Sequence, residues 1–209
     1  MWRGAGFATA AKRESGTIKG DAMTETRKLK GNHRHTRAFI GLGSNAGDRV
    51  GFVQQAMQLL KDIPRIKVVE CSSLYETEPI ADKQAEWFVN AVAAIDTDLT
   101  AEELLEICKD VEQRLTKLHG LESAPPKKHG RRIRIIDLDI LFFGDHVFTG
   151  PSLAVPHPNI AQRAYALVPL LEIAPNFMHP TLNKTVTQLH EALPDPELVF
   201  LYGTRGISA

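Results

Sequence analysis

Cysteine is nearly missing from this chain: Cys71 and Cys108 are its two thiols in 209 residues. Two such residues build neither a disulfide framework nor a zinc-site spacing, so the sequence points to a reducing compartment with both thiols packed as small hydrophobes. Long apolar runs are missing too. No stretch approaches the roughly 18 consecutive apolar residues of a membrane span, and no secretory h-region is visible. An excess of one charge is also lacking, because 25 Lys and Arg balance 25 Asp and Glu. No global field therefore draws nucleic acid or an anionic membrane, and any anion site must be a local cluster. The expectation is a soluble, cytoplasmic protein with neither nucleic acid nor membrane as partner, a monomer or at most a weak dimer.

What is present is ordinary globular material, 43% hydrophobic and 24% charged, enough for one domain with a proper core. Residues 1–36 stand apart: they are rich in Lys, Arg, Gly and Thr and carry no sustained apolar period. They are expected to be a disordered or non-native N-terminal extension, with Met23 as an alternative start and an organellar transit peptide as the other reading. Residues 37–209 are expected to form the folded domain.

Within that domain Ala38–Gly43 predicts a buried strand ending in the turn residues Gly43-Ser44-Asn45. Gly47-Asp48 opens a helix whose Val50, Val53, Met57 and Leu60 recur at spacings of three and four. Ile66–Tyr75 predicts a second strand and Trp87–Ile95 a third. Thr100 with Glu103 forms a capping-box pattern, and the helix it starts carries Leu104, Ile107, Val111 and Leu115 on one face. Gly120–Arg132 is a basic loop. Ile133–Phe143 predicts the strongest strand, Arg163–Glu172 a helix, and Val186–Leu193 a weaker helix leading to a frayed end. The order β-α-β-β-α-β with appended helices is the ferredoxin-like pattern, an α+β sandwich of mainly antiparallel sheet with one helical face.

The sharpest chemical feature is Asp137-Leu138-Asp139. In a strand these two carboxylates share one face while Leu138 turns to the other. Side by side they repel unless a cation lies between them, and Mg²⁺, which takes hard oxygen ligands from one or two carboxylates plus water and phosphate, suits the pair. A solvated pair of acids on an edge strand is the alternative. Flanking Ile135-Ile136 and Ile140-Leu141-Phe142 give acids little reason to be there other than a ligand. Just upstream, Lys127-Lys128-His129-Gly130-Arg131-Arg132-Ile133-Arg134 feeds a mobile basic loop into the acidic strand, which is what transfer of a polyphosphate needs.

Six colinear motifs across about residues 37–193 carry a resemblance: Gly43-Ser44-Asn45; Ser73-x-Tyr75-x-Thr77-x-Pro79; Phe88-Val89-Asn90-Ala91-Val92; Arg134-Ile135-Ile136-Asp137-Leu138-Asp139-Ile140-Leu141; Val155-Pro156-His157-Pro158; and Arg163-Ala164-Tyr165-Ala166-Leu167-Val168-Pro169-Leu170. The sequence resembles the 6-hydroxymethyl-7,8-dihydropterin pyrophosphokinase family. That resemblance implies in-line attack of a pterin hydroxyl on the β-phosphorus of ATP, with AMP released and no covalent enzyme intermediate. It implies Asp137 and Asp139 as ligands of two Mg²⁺ ions, with Arg134 and Arg131 beside them in catalysis. Thr77, Pro79, Ile80, Phe88, Asn90 and Tyr165 would frame the pterin. Glu112, Lys117, Arg134, Ile140, His157 and Arg163 would attend the ATP.

The chain departs from the family pattern in three places. Lys117 and His119 stand near positions where arginines are usual, Ser152 replaces another, and Arg131-Arg132-Ile133 replaces a tryptophan–glycine–proline run. Lysine keeps the charge without the bidentate fork, and histidine keeps it only when protonated. Phosphate contacts are expected to move onto Lys127, Lys128, Arg131 and Arg132. Two other readings compete: an RNA-binding module using the basic loop, and a homologue that binds substrates without turnover.

Overall fold

The computed structural model describes residues 35–79, 86–120 and 135–203. The expectations for the N-terminal extension, Ile80 and the basic loop with Arg131 and Arg134 lie outside the described residues.

Strand β1 (Thr36–Ser44), flanked by a neighbour on each side, sends alternate side chains into two separate cores. Ala38, Ile40 and Leu42 point into one core, whereas Phe39 points into a second. On the second face the next two alternate positions are Gly41 and Gly43. Helix α1 (Arg49–Lys61) follows, its first turn capped by the Asp48 carboxylate accepting from the Gly51 N–H at 2.9 Å. It buries Phe52, Val53, Ala56, Met57 and Leu60.

The single strand expected over Ile66–Tyr75 is two strands, β2 (Ile66–Cys71) and β3 (Leu74–Thr77). Both pair with one long antiparallel neighbour, β4 (Phe88–Thr97), β2 along its second half and β3 along its first. A bulge between Val68 and Glu70 bends β2. The Ser72 N–H donates to the Val92 carbonyl, and the Ser72 hydroxyl accepts from the Val92 N–H at 2.9 Å, so a side chain bridges the break. Helix α2 (Ala101–Leu118) carries the expected capping box: Glu103 N–H donates to Thr100 Oγ1 at 3.2 Å and Thr100 N–H to Glu103 Oε2 at 2.8 Å.

Strand β5 (Asp137–Phe143) begins later than its apolar run suggested; Ile135 and Ile136 are buried ahead of it. It pairs antiparallel with β1, with a register shift at Phe39/Ile40 that leaves Leu141 as the extra residue. The bulge puts both Leu141 and Phe142 in the second core. A small hairpin, β6 (Phe148–Thr149) with β7 (Ala154–Val155), precedes a cis Val155–Pro156 bond. A 3-10 turn, Ile160–Gln162, then leads to helix α3 (Ala164–Ile173), and α4 (Val186–Glu191) follows.

The sheet order is β5-β1-β4-β3 with β2 also on β4, the ferredoxin-like order, and every pairing is antiparallel. Two expectations need correction. Helices cover both faces, not one: α1 and α2 pack on the first core, α3 and α4 on the second. The α3 segment AYALVPLLEI is apolar nearly all round and so has to be buried. The expected frayed end is instead a strand, β8 (Val199–Gly203), paired with β3. Its Phe200, Leu201 and Tyr202 are exposed, so no alternation marks it in the sequence.

His179, buried in the turn before α4, accepts at Nδ1 from the Thr181 and Leu182 N–H groups, both at 3.3 Å, and its ring meets Phe142 edge-on. Burial lowers its pKa below the ordinary histidine value. The folded state therefore favours the neutral ring. That contribution is complete above the unfolded value near 6.5 and is lost as pH falls through the lower folded value. Urea unfolding at pH 7.5 and 5.5 is expected to show a smaller loss of stability on acidification for His179→Asn than for wild type. Equal losses would contradict this role.

Candidate active site

The site is built by strand register. Gly43 of β1 lies across from Asn90 of β4 on one side and Asp137 of β5 on the other, and Gly41 lies between Val92 and Asp139. Residues in one such row point to the same face. That face carries Asn90, Asp137 and Asp139, with two positions between them that have no side chain.

Above these glycines lies a cavity of about 250 Å³. Its lining includes Gly41, Gly43, Thr77, Pro79, Phe88, Asn90, Asp137, Asp139, Leu141 and Tyr165. Seven of the residues singled out from the sequence, Thr77, Pro79, Phe88, Asn90, Asp137, Asp139 and Tyr165, thus come together from β3 and the residues just after it, β4, β5 and α3. The Asn90 amide, 6% exposed, donates through Nδ2 to Thr77 Oγ1 at 2.6 Å. Its Oδ1 lies over Gly43, where an added Cβ would approach to 2.6 Å. Glycine is therefore required at 43 by close approach.

The other singled-out residues are placed differently. Glu112 on α2 accepts the Leu138 N–H at Oε1, 2.7 Å away. Leu138 separates the two aspartates, so Glu112 pins the backbone of the acidic strand. Ile140 is buried in the core on the α1–α2 face and does not line the cavity. Lys117 is exposed near the end of α2. His119, in the last turn, packs edge-on against Phe52 and sits 2.9 Å from Gln55 Oε1, which docks α2 on α1. His157 is half-buried, its N–H donating to the Leu141 carbonyl at 2.9 Å, so it covers the bulge of β5. Arg163 is half-buried, with its guanidinium carbon 5.9 Å from the Tyr165 ring centroid. Its Nε is buried without a hydrogen-bond partner.

Electrostatically the cavity floor is acidic. Burial raises the Tyr165 phenol above its usual pKa; Arg163 opposes that, and Asp139, Glu197 and Asp137 add to it. The ring is therefore a neutral wall at physiological pH. Burial also pushes the Cys108 thiol up to about 12, with Glu112 and Asp139 contributing, so this cysteine is an inert core residue. Among the described residues no three His, Cys, Asp or Glu side chains form a metal cluster. The Asp137–Asp139 pair fits a hard cation that completes its shell with water and substrate oxygens, as Mg²⁺ does.

Sequence reasoning missed three features of the site. The Glu172 carboxylate of α3 accepts from Ser73 N–H at 2.8 Å, Ser73 Oγ at 3.0 Å and Tyr75 hydroxyl at 2.9 Å, tying α3 to β3. Its spacing of seven from Tyr165, two helical turns, was an available signal. Local pattern marks Gly43 only as a turn residue. The contacts of residues 197–203 had no signal, because partners so distant in sequence leave no local pattern.

An antiparallel ferredoxin-like sheet whose edge strand turns two carboxylates into a heterocycle-sized, aromatic-walled cavity defines an α+β small-molecule domain suited to a cation-borne anionic ligand. The family model for 7,8-dihydro-6-hydroxymethylpterin-pyrophosphokinase matches residues 39–175, and the chain belongs to that family. It is 39% identical over 143 residues to the 2-amino-4-hydroxy-6-hydroxymethyldihydropteridine pyrophosphokinase of Methylorubrum extorquens, covering 68% of this chain and 85% of that protein. It is 37% identical over 136 residues to the enzyme of the same name from Bacillus subtilis, covering 65% and 77%. Against the folic acid synthesis protein fol1 of Pneumocystis carinii it is 35% identical over 173 residues, 81% of this chain but 22% of that much longer one. The fold resembles Plasmodium falciparum HPPK-DHPS solved with pterin and p-hydroxybenzoate, at a TM-score of 0.55 and 17% identity, covering 76% of this chain and 43% of that one.

The Gly43–Asn90 contact makes a direct test. Gly43→Ala is expected to force Asn90 off Thr77 and destabilise the fold by about 1–3 kcal/mol, the usual range for overpacking. Urea unfolding reads the stability, and the Asn90 side-chain amide resonances read the displacement. An unchanged midpoint with unmoved resonances would contradict the packing described.

Proposed function

We propose that this chain transfers the pyrophosphoryl group of ATP to the hydroxymethyl oxygen of 6-hydroxymethyl-7,8-dihydropterin, giving AMP and the pterin diphosphate, a step of folate biosynthesis. The observation that carries this reading is the convergence of Asp137, Asp139, Asn90, Thr77, Phe88 and Tyr165 on one cavity inside the family-matched stretch.

In this reading the flat pterin lies between Tyr165 and Phe88, whose faces suit a bicyclic ring. Asn90 has a free amide hydrogen beyond the one given to Thr77 and offers its carbonyl oxygen to the pyrimidine edge. Pro79 bounds the cavity where β3 ends, next to Ile80. The hydroxymethyl arm is directed along the Gly41–Gly43 floor toward the aspartates. Asp137 and Asp139 hold Mg²⁺, two ions in this proposal, which would neutralise the ATP phosphates and stabilise charge on the transferring group. Glu112 keeps those aspartates in register through the Leu138 amide. Arg163, whose Nε is buried without a partner, stands where the two substrates meet, and His157, Arg134 and Arg131 would supply the remaining contacts to phosphate and ribose, with Lys117 at the periphery.

The substrate oxygen forms a bond to the β-phosphorus while the bond from that phosphorus to the α,β-bridging oxygen breaks. The bridging oxygen leaves on AMP and the hydroxyl proton passes to solvent or phosphate. No enzyme group is alkylated or phosphorylated. Positioning and charge stabilisation therefore supply the rate enhancement. We place the reaction in the cytoplasm, carried out by a monomer or weak dimer.

AMP release from Mg²⁺, ATP and 6-hydroxymethyl-7,8-dihydropterin tests the proposal in a coupled assay. Turnover is expected to require the pterin and to fall by about 10²-fold or more in Asp139→Ala, as for loss of a major charge-stabilising group. Folded wild-type protein that releases no AMP with both substrates saturating would overturn the reading.

A further inference from the structure

Strand β8 and the residue pair before it lie beyond the family-matched stretch, yet three contacts tie them to the cavity rim. Helix α3 has no side-chain cap of its own, because its N-cap position holds Arg163. The missing acceptor comes from 32 residues further along: Glu197 Oε1 takes the Tyr165 N–H at 2.9 Å. Next to it, the Leu198 carbonyl accepts from the Glu78 N–H at 2.9 Å, where β3 leaves the sheet. Phe200 stacks on Trp87 at 5.9 Å between centroids and 21° between planes, immediately before Phe88 enters β4. Tyr165, Glu78 and Phe88 all line the cavity.

We infer that Glu197 is a positioning residue for the bound heterocycle, and that residues 197–203 form a strap holding the aromatic wall of α3 against the ends of β3 and β4. The inference rests on the proposed reading of the cavity as a pterin site. A helix usually draws its N-terminal cap from Ser, Thr, Asp or Asn at the N-cap itself. Here that position holds an arginine beside the cavity, so the cap has moved to a distant carboxylate, which the helix dipole also favours. The hydrogen bond falls on the residue whose ring forms the wall, so releasing it frees the backbone that aims the ring. The same segment ties Glu78, just past β3, through Leu198 and reaches Trp87 through Phe200, so the wall is fixed relative to the floor.

Fluorescence titration with 6-hydroxymethylpterin, in the presence of Mg²⁺ and a non-hydrolysable ATP analogue, tests this on the full chain. Glu197→Ala is expected to weaken the pterin about fivefold, the equivalent of one lost cap, and to speed hydrogen exchange at the Tyr165 amide. The affinity for the ATP analogue should not change. Glu197→Gln keeps the acceptor and should restore pterin affinity to within about twofold, since the hydrogen bond and not the charge carries most of a cap. Val147→Ala, exposed and outside the strap, should leave pterin affinity as in wild type. Equal affinity in Glu197→Ala and wild type, or an equal loss in Val147→Ala, would overturn the strap. A folded wild type that fails to bind pterin would overturn the reading of the cavity instead. The Tyr165 amide then decides the strap alone, which is overturned if its exchange is unchanged in Glu197→Ala.

Discussion

The row of facing residues Asn90–Gly43–Asp137 is the constraint from which the site follows. Antiparallel register sets three positions on one face at fixed spacing, and neighbouring strands lie about 4.8 Å apart. Asn90 and Asp137 are therefore about 10 Å apart across a position with no side chain. The next row on that face repeats the pattern with Val92, Gly41 and Asp139. A one-residue slip of β5 against β1 would turn both carboxylates into the core and Leu138 into the cavity. The buried alternation of Leu138 and Ile140 with the α1–α2 core opposes that slip.

The rest of the molecule keeps that row in place and closes space above it. On the buried side, Glu112 reaches from α2 to the amide of Leu138, the residue between the aspartates. On the open side, α3 supplies Tyr165 and is held at both ends, by Glu197 at its start and by Glu172 on Ser73 and Tyr75 toward its end. The bulge at Leu141 turns one further apolar side chain into the cavity below α3. Carboxylates thus do two kinds of work here. Glu112, Glu172 and Glu197 accept backbone or side-chain hydrogens and fix geometry, whereas Asp137 and Asp139 face the cavity.

Much of this was legible in the residues because local pattern and tertiary demand agreed. The Asp48 and Thr100 caps, the α2 stripe and the Asp-Leu-Asp alternation each state their role within a few positions. The break between β2 and β3 was not legible, because Ile66–Tyr75 remains strand-like throughout and its split depends on pairing to two halves of β4. Strand β8 was hidden because both of its faces are exposed and carry no alternation. Ile140 was linked to ATP by motif, yet its side chain alternates into the core, as its strand position demands. Gly43 hid its role because the close approach that requires glycine comes from Asn90, 47 residues away in sequence.

In the proposed reaction the group moved onto the pterin is a pyrophosphoryl unit, attacked at the β-phosphorus. Phosphorus-31 NMR of a reaction run to completion with Mg²⁺, ATP and 6-hydroxymethyl-7,8-dihydropterin tests it most directly. The expected spectrum holds the AMP singlet together with the pair of doublets of a diphosphate ester on the pterin. ADP with a pterin monophosphate, or no phosphorus bound to the pterin, would contradict it.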